Sequence, residues 1–155
     1  MLQRSRLTPL TLVLVAGAAF GALAWRPAPS ALVRIEEESP IHEHMETMNA
    51  AMRFFGKTGA SAENRDKALE WIAKFQASVV ACKVLTPETA SKVEEAKRAE
   101  FVAGYRTMMV DVLATSCKLE KALMAGDYEA ANKVAREELK ALKDAGHEKY
   151  EGDEH

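Results

Sequence analysis

Few side chains in this sequence can do chemistry, and they fall into two groups. His42, His44, Met45, Met48 and Met52 lie close together early in the chain, and His147 lies near its end. Two cysteines, Cys82 and Cys117, stand apart from both groups. No nucleophile-and-base pair, glycine-rich phosphate loop or zinc-ligand spacing accompanies them. Neither cysteine belongs to a C-x-x-C redox motif or a C-x-x-C-H haem-attachment motif. What remains is a soft thioether and an imidazole. Brought together, such a pair can hold haem iron from both sides, methionine on one face and histidine on the other, and that ligation raises the reduction potential. Iron with both axial positions filled has none left for a substrate. The chemistry implied is electron transfer, and the chain is not expected to be an enzyme.

Each of these residues also has an ordinary explanation. Methionines at helical spacing fill cores, which is the plain reading of Met48 and Met52. A histidine near a helix C-terminus is commonly a solvated residue that favours the dipole. His42 lies three residues before Met45 and can share its face. It is an alternative ligand to Met45, or it joins His44, Met45 and Met48 in a soft-donor copper site. The blander reading of His42 and His44 is two exposed histidines in a first helical turn. A bundle with no cofactor, acting as an interaction protein, is the remaining alternative.

The elements that must position these residues are set by proline and glycine. Of five prolines only Pro87 lies after residue 40, so long helices can flank it. Breaks are expected at Gly56 and Gly59, at Thr86-Pro87 and at Gly126-Asp127. The four segments between them have helical periodicity. The first starts with Ser39 as N-cap and Pro40 at the first helical position, and its stripe is Ile41, Met45, Met48, Met52 and Phe55. The second begins near Ser61 and carries Leu69, Ile72, Phe75, Val79 and Cys82. The third and longest carries Phe101, Tyr105, Met108, Val112, Leu119 and Leu123. The fourth follows Asp127 with Tyr128, Ala131, Ala135, Leu139 and Leu142. No run alternates with the period of two that a half-buried strand needs. The fold class is all-α, and short connections favour an antiparallel up-down-up-down four-helix bundle, with the connection around residues 85–92 the longest.

This layout gathers Met45, Cys82, Phe101, Tyr105 and His147 at one end. On the helical wheel, at about 100° per residue, His147 lies roughly 80° from Leu139 and roughly 140° from Leu142, on the flank of the apolar stripe. Cys117 is expected some twenty residues further along the third helix than the level of Cys82. At about 1.5 Å per residue that is roughly 30 Å, far beyond a disulfide's reach. Gly104 and Gly146 are unusual inside helices, where each costs about 1 kcal/mol relative to Ala. Both lie at the Met45 end, where a flat cofactor would need close approach to backbone.

The N-terminus reads as an export signal. Arg4 and Arg6 form a basic region, Leu10 to Trp25 is uncharged and mostly apolar, and Ala22-Leu23-Ala24 supplies a small-residue cleavage site. The competing reading is an uncleaved anchor, since Leu7 to Trp25 is nearly long enough to span a bilayer. The expected organisation is a signal at 1–24, a proline-containing linker at 25–38 and a bundle at 39–155. Either reading of the signal puts the bundle outside the cytoplasm, in a bacterial periplasm, and cleavage leaves the mature domain without a membrane insertion. The chain has 155 residues and a net charge of -2; loss of residues 1–24 removes two arginines and no acid and leaves -4. A mildly acidic domain of this kind is a poor ligand for phosphates, which sets nucleic acid aside.

Met45-Glu46-Thr47-Met48-Asn49 resembles the first-helix motif of the cytochrome b562 family. Glu138-Leu139-Lys140 leading to Ala145-Gly146-His147-Glu148-Lys149-Tyr150 resembles its last-helix motif, with His147 on the ligand position. Phe101-x-x-Gly104-Tyr105 is similar to the family's aromatic pair on the third helix, and Thr86-Pro87 is similar to its turn after the second. The resemblance covers roughly residues 40–150. It implies one non-covalent haem b per chain, with Met45 and His147 as axial ligands and Phe101 and Tyr105 as pocket wall. It also implies an electron-transfer role with a redox partner protein that the sequence does not name. Gly146 stands where the best-known member has an aromatic residue, so apolar wall is lost. Lys143 stands where that member has an arginine, which keeps a positive charge near the haem edge. The family is itself an example of the up-down-up-down bundle, so that topology is not independent support for the resemblance.

Overall fold

The computed structural model describes residues 40–151. The signal, the linker and the Ser39 cap fall outside the described residues. Four helices follow in order: α1 (Pro40–Lys57), α2 (Arg65–Cys82), α3 (Glu95–Ala125) and α4. α4 is continuous over residues 128–150 but runs in three parts, an α-helical Tyr128–Lys133, a π-helical Val134–Leu139 and an α-helical Lys140–Tyr150. A short 3-10 turn, Glu88–Lys92, lies in the connection between α2 and α3. There is no strand among the described residues.

Local chemistry explains where the helices begin and end. Pro40 opens α1, where its missing N–H is one that a helix start leaves unpaired anyway. α1 runs through Gly56 to Lys57, and the chain turns at Gly59, whose φ of 72° is the left-handed value that glycine adopts without a Cβ penalty. The break expected at Gly56 and Gly59 thus falls between them and turns at the second. The start of α2 differs, at Arg65 rather than near Ser61, because Asn64 organises the turn before it. The Asn64 side chain accepts from the Ser61 N–H at 2.8 Å and donates to the Gly59 carbonyl at 2.9 Å. α3 closes on Gly126, with φ of 74°, where the Asp127 N–H reaches back to the Ala122 carbonyl at 2.9 Å. Asp127 then caps α4 by accepting from the Ala130 N–H at 3.0 Å.

Cross-links between helices establish the antiparallel order. The start of α2 meets the end of α3 where Arg65 Nε donates to the Leu123 carbonyl at 3.2 Å. The end of α2 meets the first half of α3 where the Tyr105 hydroxyl donates to the Cys82 carbonyl at 3.3 Å. The end of α1 meets the start of α4 through Asn132, which bonds both the N–H (2.7 Å) and the carbonyl (2.9 Å) of Ala60. The result is the up-down-up-down bundle. The long connection does not wander freely, since Arg98 donates to the Ala90 and Val93 carbonyls and Thr89 to that of Tyr150.

Both cysteines are free. Their separation is smaller than the sequence suggests. Gln76 of α2 lies against Cys117, with Nε2 3.9 Å from the sulfur, so Cys117 is level with a point only six residues before Cys82. Reckoned along α2 from Gln76 or along α3 from Tyr105, that is about 9 to 18 Å along the helix rather than roughly 30 Å, still too far for a disulfide. The difference arises because α3 begins at Glu95 and reaches the level of Cys82 only near Tyr105.

Packing is unequal along the bundle. Phe55, Ile72, Leu119 and Leu123 are fully buried towards the end formed by the α1–α2 and α3–α4 turns, and Val79, Cys82 and Tyr105 between α2 and α3 towards the other. At the other end, Met45, Met52, Met108 and Leu142 pack against the core but remain only partly buried. No helix among the described residues is long and apolar enough to cross a membrane.

Candidate cofactor site

The partly buried stripe residues face a common space. A mainly apolar cavity of about 430 Å³ opens at the end formed by the start of α1, the end of α4 and the 3-10 turn. That volume is in the range of pockets that take a small-molecule ligand. Met45, Met48 and Met52 line it from α1, Tyr105, Met108 and Val112 from α3, and Leu139, Leu142, Gly146 and His147 from α4. The cavity thus brings Met45 and His147 together from the first and last helices. Met48 is nonetheless a core residue, 8% exposed. The floor is formed in part by Phe75 of α2, and the turn contributes Pro87 and Thr89.

His147 sits in the last turn of α4 with its side chain 41% exposed, and its Nδ1 contacts the carboxylate of Glu151. A donor bond from Nδ1–H leaves Nε2 as the nitrogen with a lone pair for a metal. His42 also lines the cavity, at its edge, with Nε2 3.7 Å from the Glu46 carboxylate and its side chain 59% exposed. His44 is not among the lining residues. No group of three or more His, Cys, Asp or Glu that could hold a metal occurs among the described residues.

The aromatic wall differs from the expectation. Tyr105 lines the cavity, but Phe101 does not. Phe101 packs edge-on against Tyr150, ring centres 5.0 Å apart, and Tyr150 is the ring that reaches the cavity. Tyr150 also meets Tyr105 edge-on at 5.5 Å. One helical turn separates Phe101 from Tyr105, and Tyr150 occupies the place between them that a cavity wall would give to Phe101. Burial pushes the Tyr105 phenol and the Cys82 thiol above their ordinary ranges, so both stay protonated. The two glycines also part company. A Cβ on Gly104 would lie 2.7 Å from the Tyr150 hydroxyl, so this glycine makes room for a tyrosine and not for a cofactor. Gly146 does line the cavity, and a Cβ there would meet only Met108, at 3.9 Å.

Sequence reasoning missed Tyr150 and Glu151 as site residues. The signal was available in their spacing, since residues three and four beyond His147 share its helical face. The cavity mouth has a charged neighbour as well. A shallower groove between α1 and α4 is lined by Arg53, Arg136, Lys140 and Lys143, and Lys143 also lines the cavity.

An antiparallel bundle left open at one end, with a thioether and an imidazole on its walls, has the form of a helical cytochrome. The chain belongs to the cytochrome b562 family, whose family model matches residues 40–151. No curated protein and no solved structure matched the chain.

Proposed function

We propose that this chain is an exported single-electron carrier that holds one haem b without covalent links, with Met45 and His147 as its axial ligands. The observation that carries the reading is the cavity itself. Its wall is built from stripe residues that pack on the core but stay only partly buried, and it sets thioethers of the first helix, Met45 among them, beside the His147 imidazole of the last. The donor set and the apolar lining fit a flat, hydrophobic macrocycle with iron at its centre. Bound haem supplies reversible one-electron redox chemistry. Met45 and His147 would hold its iron between them, which would leave no position for a substrate. Tyr105, Tyr150, Met108 and Leu142 exclude water from the site, and Phe101 backs Tyr150. Lys143 presents positive charge at the mouth, suited to a carboxylate on the ligand's edge. Membership of the family supports the haem and the electron-transfer role, and the partner is a redox protein of the same compartment. Export to a periplasm is read from residues 1–24.

The test is reconstitution with haem followed by absorbance spectroscopy, on wild type and four variants. His147→Ala removes the stronger donor and should abolish most haem uptake. Met45→Ala should leave a histidine-ligated haem with a high-spin spectrum and a lower potential. Met48→Ala should act as a core truncation, costing roughly 2–5 kcal/mol, with the low-spin spectrum kept. Met52→Ala, less buried, should cost less and also keep it. An unchanged low-spin spectrum in Met45→Ala would transfer the ligand role to His42 or Met48. Failure of the wild type to take up haem would refute the reading. Protein recovered from an exporting host should lack residues 1–24 by intact mass; retention of them in a membrane fraction would make that segment an anchor.

A further inference from the structure

Glu151 lies one helical turn beyond His147, and its carboxylate contacts Nδ1 of that imidazole. The Glu151 side chain is 60% exposed, and three contacts hold the backbone of this last turn in place. The Glu151 N–H donates to the His147 carbonyl at 3.1 Å, which closes the last turn around the pair. The Thr89 hydroxyl donates to the Tyr150 carbonyl at 2.8 Å, which ties the preceding residue to the α2–α3 connection. Tyr150 itself is 8% exposed and wedged against Phe101 and Tyr105. Glu151 also lines the cavity. Two further carboxylates lie close by on this helix: Asp144 is engaged elsewhere, 2.5 Å from Lys140 Nζ, and the contact recorded for the His147 imidazole is with Glu151 rather than the adjacent Glu148.

A carboxylate on the far nitrogen of a metal-binding imidazole does two things. It fixes the tautomer and the ring's orientation, and it raises the basicity of the nitrogen that faces the metal. The first lowers the cost of ordering the ligand. The second favours the more highly charged oxidation state of the metal. We propose that Glu151 is a positioning residue for iron ligation: its carboxylate accepts the Nδ1–H of His147, turns Nε2 towards the cavity and lowers the reduction potential of the bound haem. The inference rests on His147 being an axial ligand. It sets the carboxylate against the methionine, since the thioether raises the potential that Glu151 lowers.

The test compares haem-loaded wild type, Glu151→Gln and Asp144→Asn. Potentials are measured by spectroelectrochemical titration, and the His147 Nδ1–H proton is followed by NMR in the diamagnetic ferrous state. Glu151→Gln keeps the side-chain shape and removes the charged acceptor. Asp144→Asn removes the same charge one turn before His147, on a carboxylate that is paired with Lys140 instead of the imidazole. Glu151→Gln should weaken the preference for ferric over ferrous haem by about tenfold, the lower end of the effect of removing such a partner. For one electron that is a rise of ~59 mV. Asp144→Asn should raise the potential by much less, and only Glu151→Gln should move the Nδ1–H resonance. A Glu151→Gln shift no larger than that of Asp144→Asn, with the resonance unmoved, would overturn the proposal while leaving the haem reading intact. A wild type that takes up no haem would overturn both.

Discussion

Tyr150 joins several parts of the cavity end. Its ring packs on Phe101 and Tyr105, its carbonyl is held by Thr89, and its hydroxyl fills the space that Gly104 leaves. A side chain at 104 must displace that hydroxyl. Gly104→Ala gains about 1 kcal/mol of helix propensity but forces a shift in a buried ring, and overpacking of this kind costs roughly 1–3 kcal/mol. The single variant should therefore melt at or below wild type. In a Tyr150→Phe background the obstacle is gone, and the same Gly104→Ala change should become stabilising. Thermal unfolding of the two single variants and the double variant reads this as a non-additive cycle. Strictly additive effects would mean that the hydroxyl is not what the glycine accommodates. The case also marks how far single residues can be read from sequence. That Gly104 admits a close approach was legible, since little else explains glycine in a helix interior. Which group approaches was not, because it comes from the other end of the chain.

At the scale of elements, the fourth helix departs most from what periodicity implies. Ala131, Ala135 and Leu139 are all buried, at steps of four. In an α-helix each step of four advances about 40°, so the three would drift apart by roughly 80°. The π-helical run Val134–Leu139 absorbs this drift, because a turn closed by i→i+5 bonds holds one more residue than an α turn. The extra residue lets the upstream half face α1 and α3 while Leu139, Leu142 and His147 face the cavity. A wheel drawn at a constant angle misses this, although the three breaks, the long third helix and the apolar stripes were all legible from proline, glycine and spacing. Deleting exposed Glu137 should convert the π turn to α and leave both flanks in place. That variant should keep its helicity and its haem spectrum. Deleting exposed Ala145 instead removes a residue from regular α-helix and turns everything after it by about 100°. His147 and Tyr150 should then leave the cavity, and haem binding should be lost. Circular dichroism and absorbance after haem addition distinguish the two. Equal loss in both deletions would mean that the π turn is a required shape rather than an accommodated residue.

The whole molecule is a bundle finished at one end and open at the other. The finished end has the fully buried side chains Phe55, Ile72, Leu119 and Leu123, and its turns are tied across by Asn132 to Ala60 and by Arg65 to Leu123. At the open end α2 and α3 are tied through buried Cys82 and Tyr105, but Met45, Met52, Met108, Leu142 and His147 stay only partly buried and line the cavity. Stability should follow the same division, since local opening is easiest where apolar contacts are fewest. In protein without haem, amide hydrogen exchange should be slow across 51–56 and 115–124 and fast across 41–48 and 142–150. Haem added to the wild type should raise protection in the fast segments most. With free ligand at one hundred times Kd, binding adds about 2.7 kcal/mol, or roughly 10 °C in Tm for a domain of this size. His147→Ala should show the same gradient without haem, because the finished end does not depend on that residue, and it should gain almost nothing from haem. Uniform protection along the chain before haem is added would show that the open end is already packed in solution. The cavity would then be no site for a macrocycle, and ligand-free packing would explain the methionine stripe.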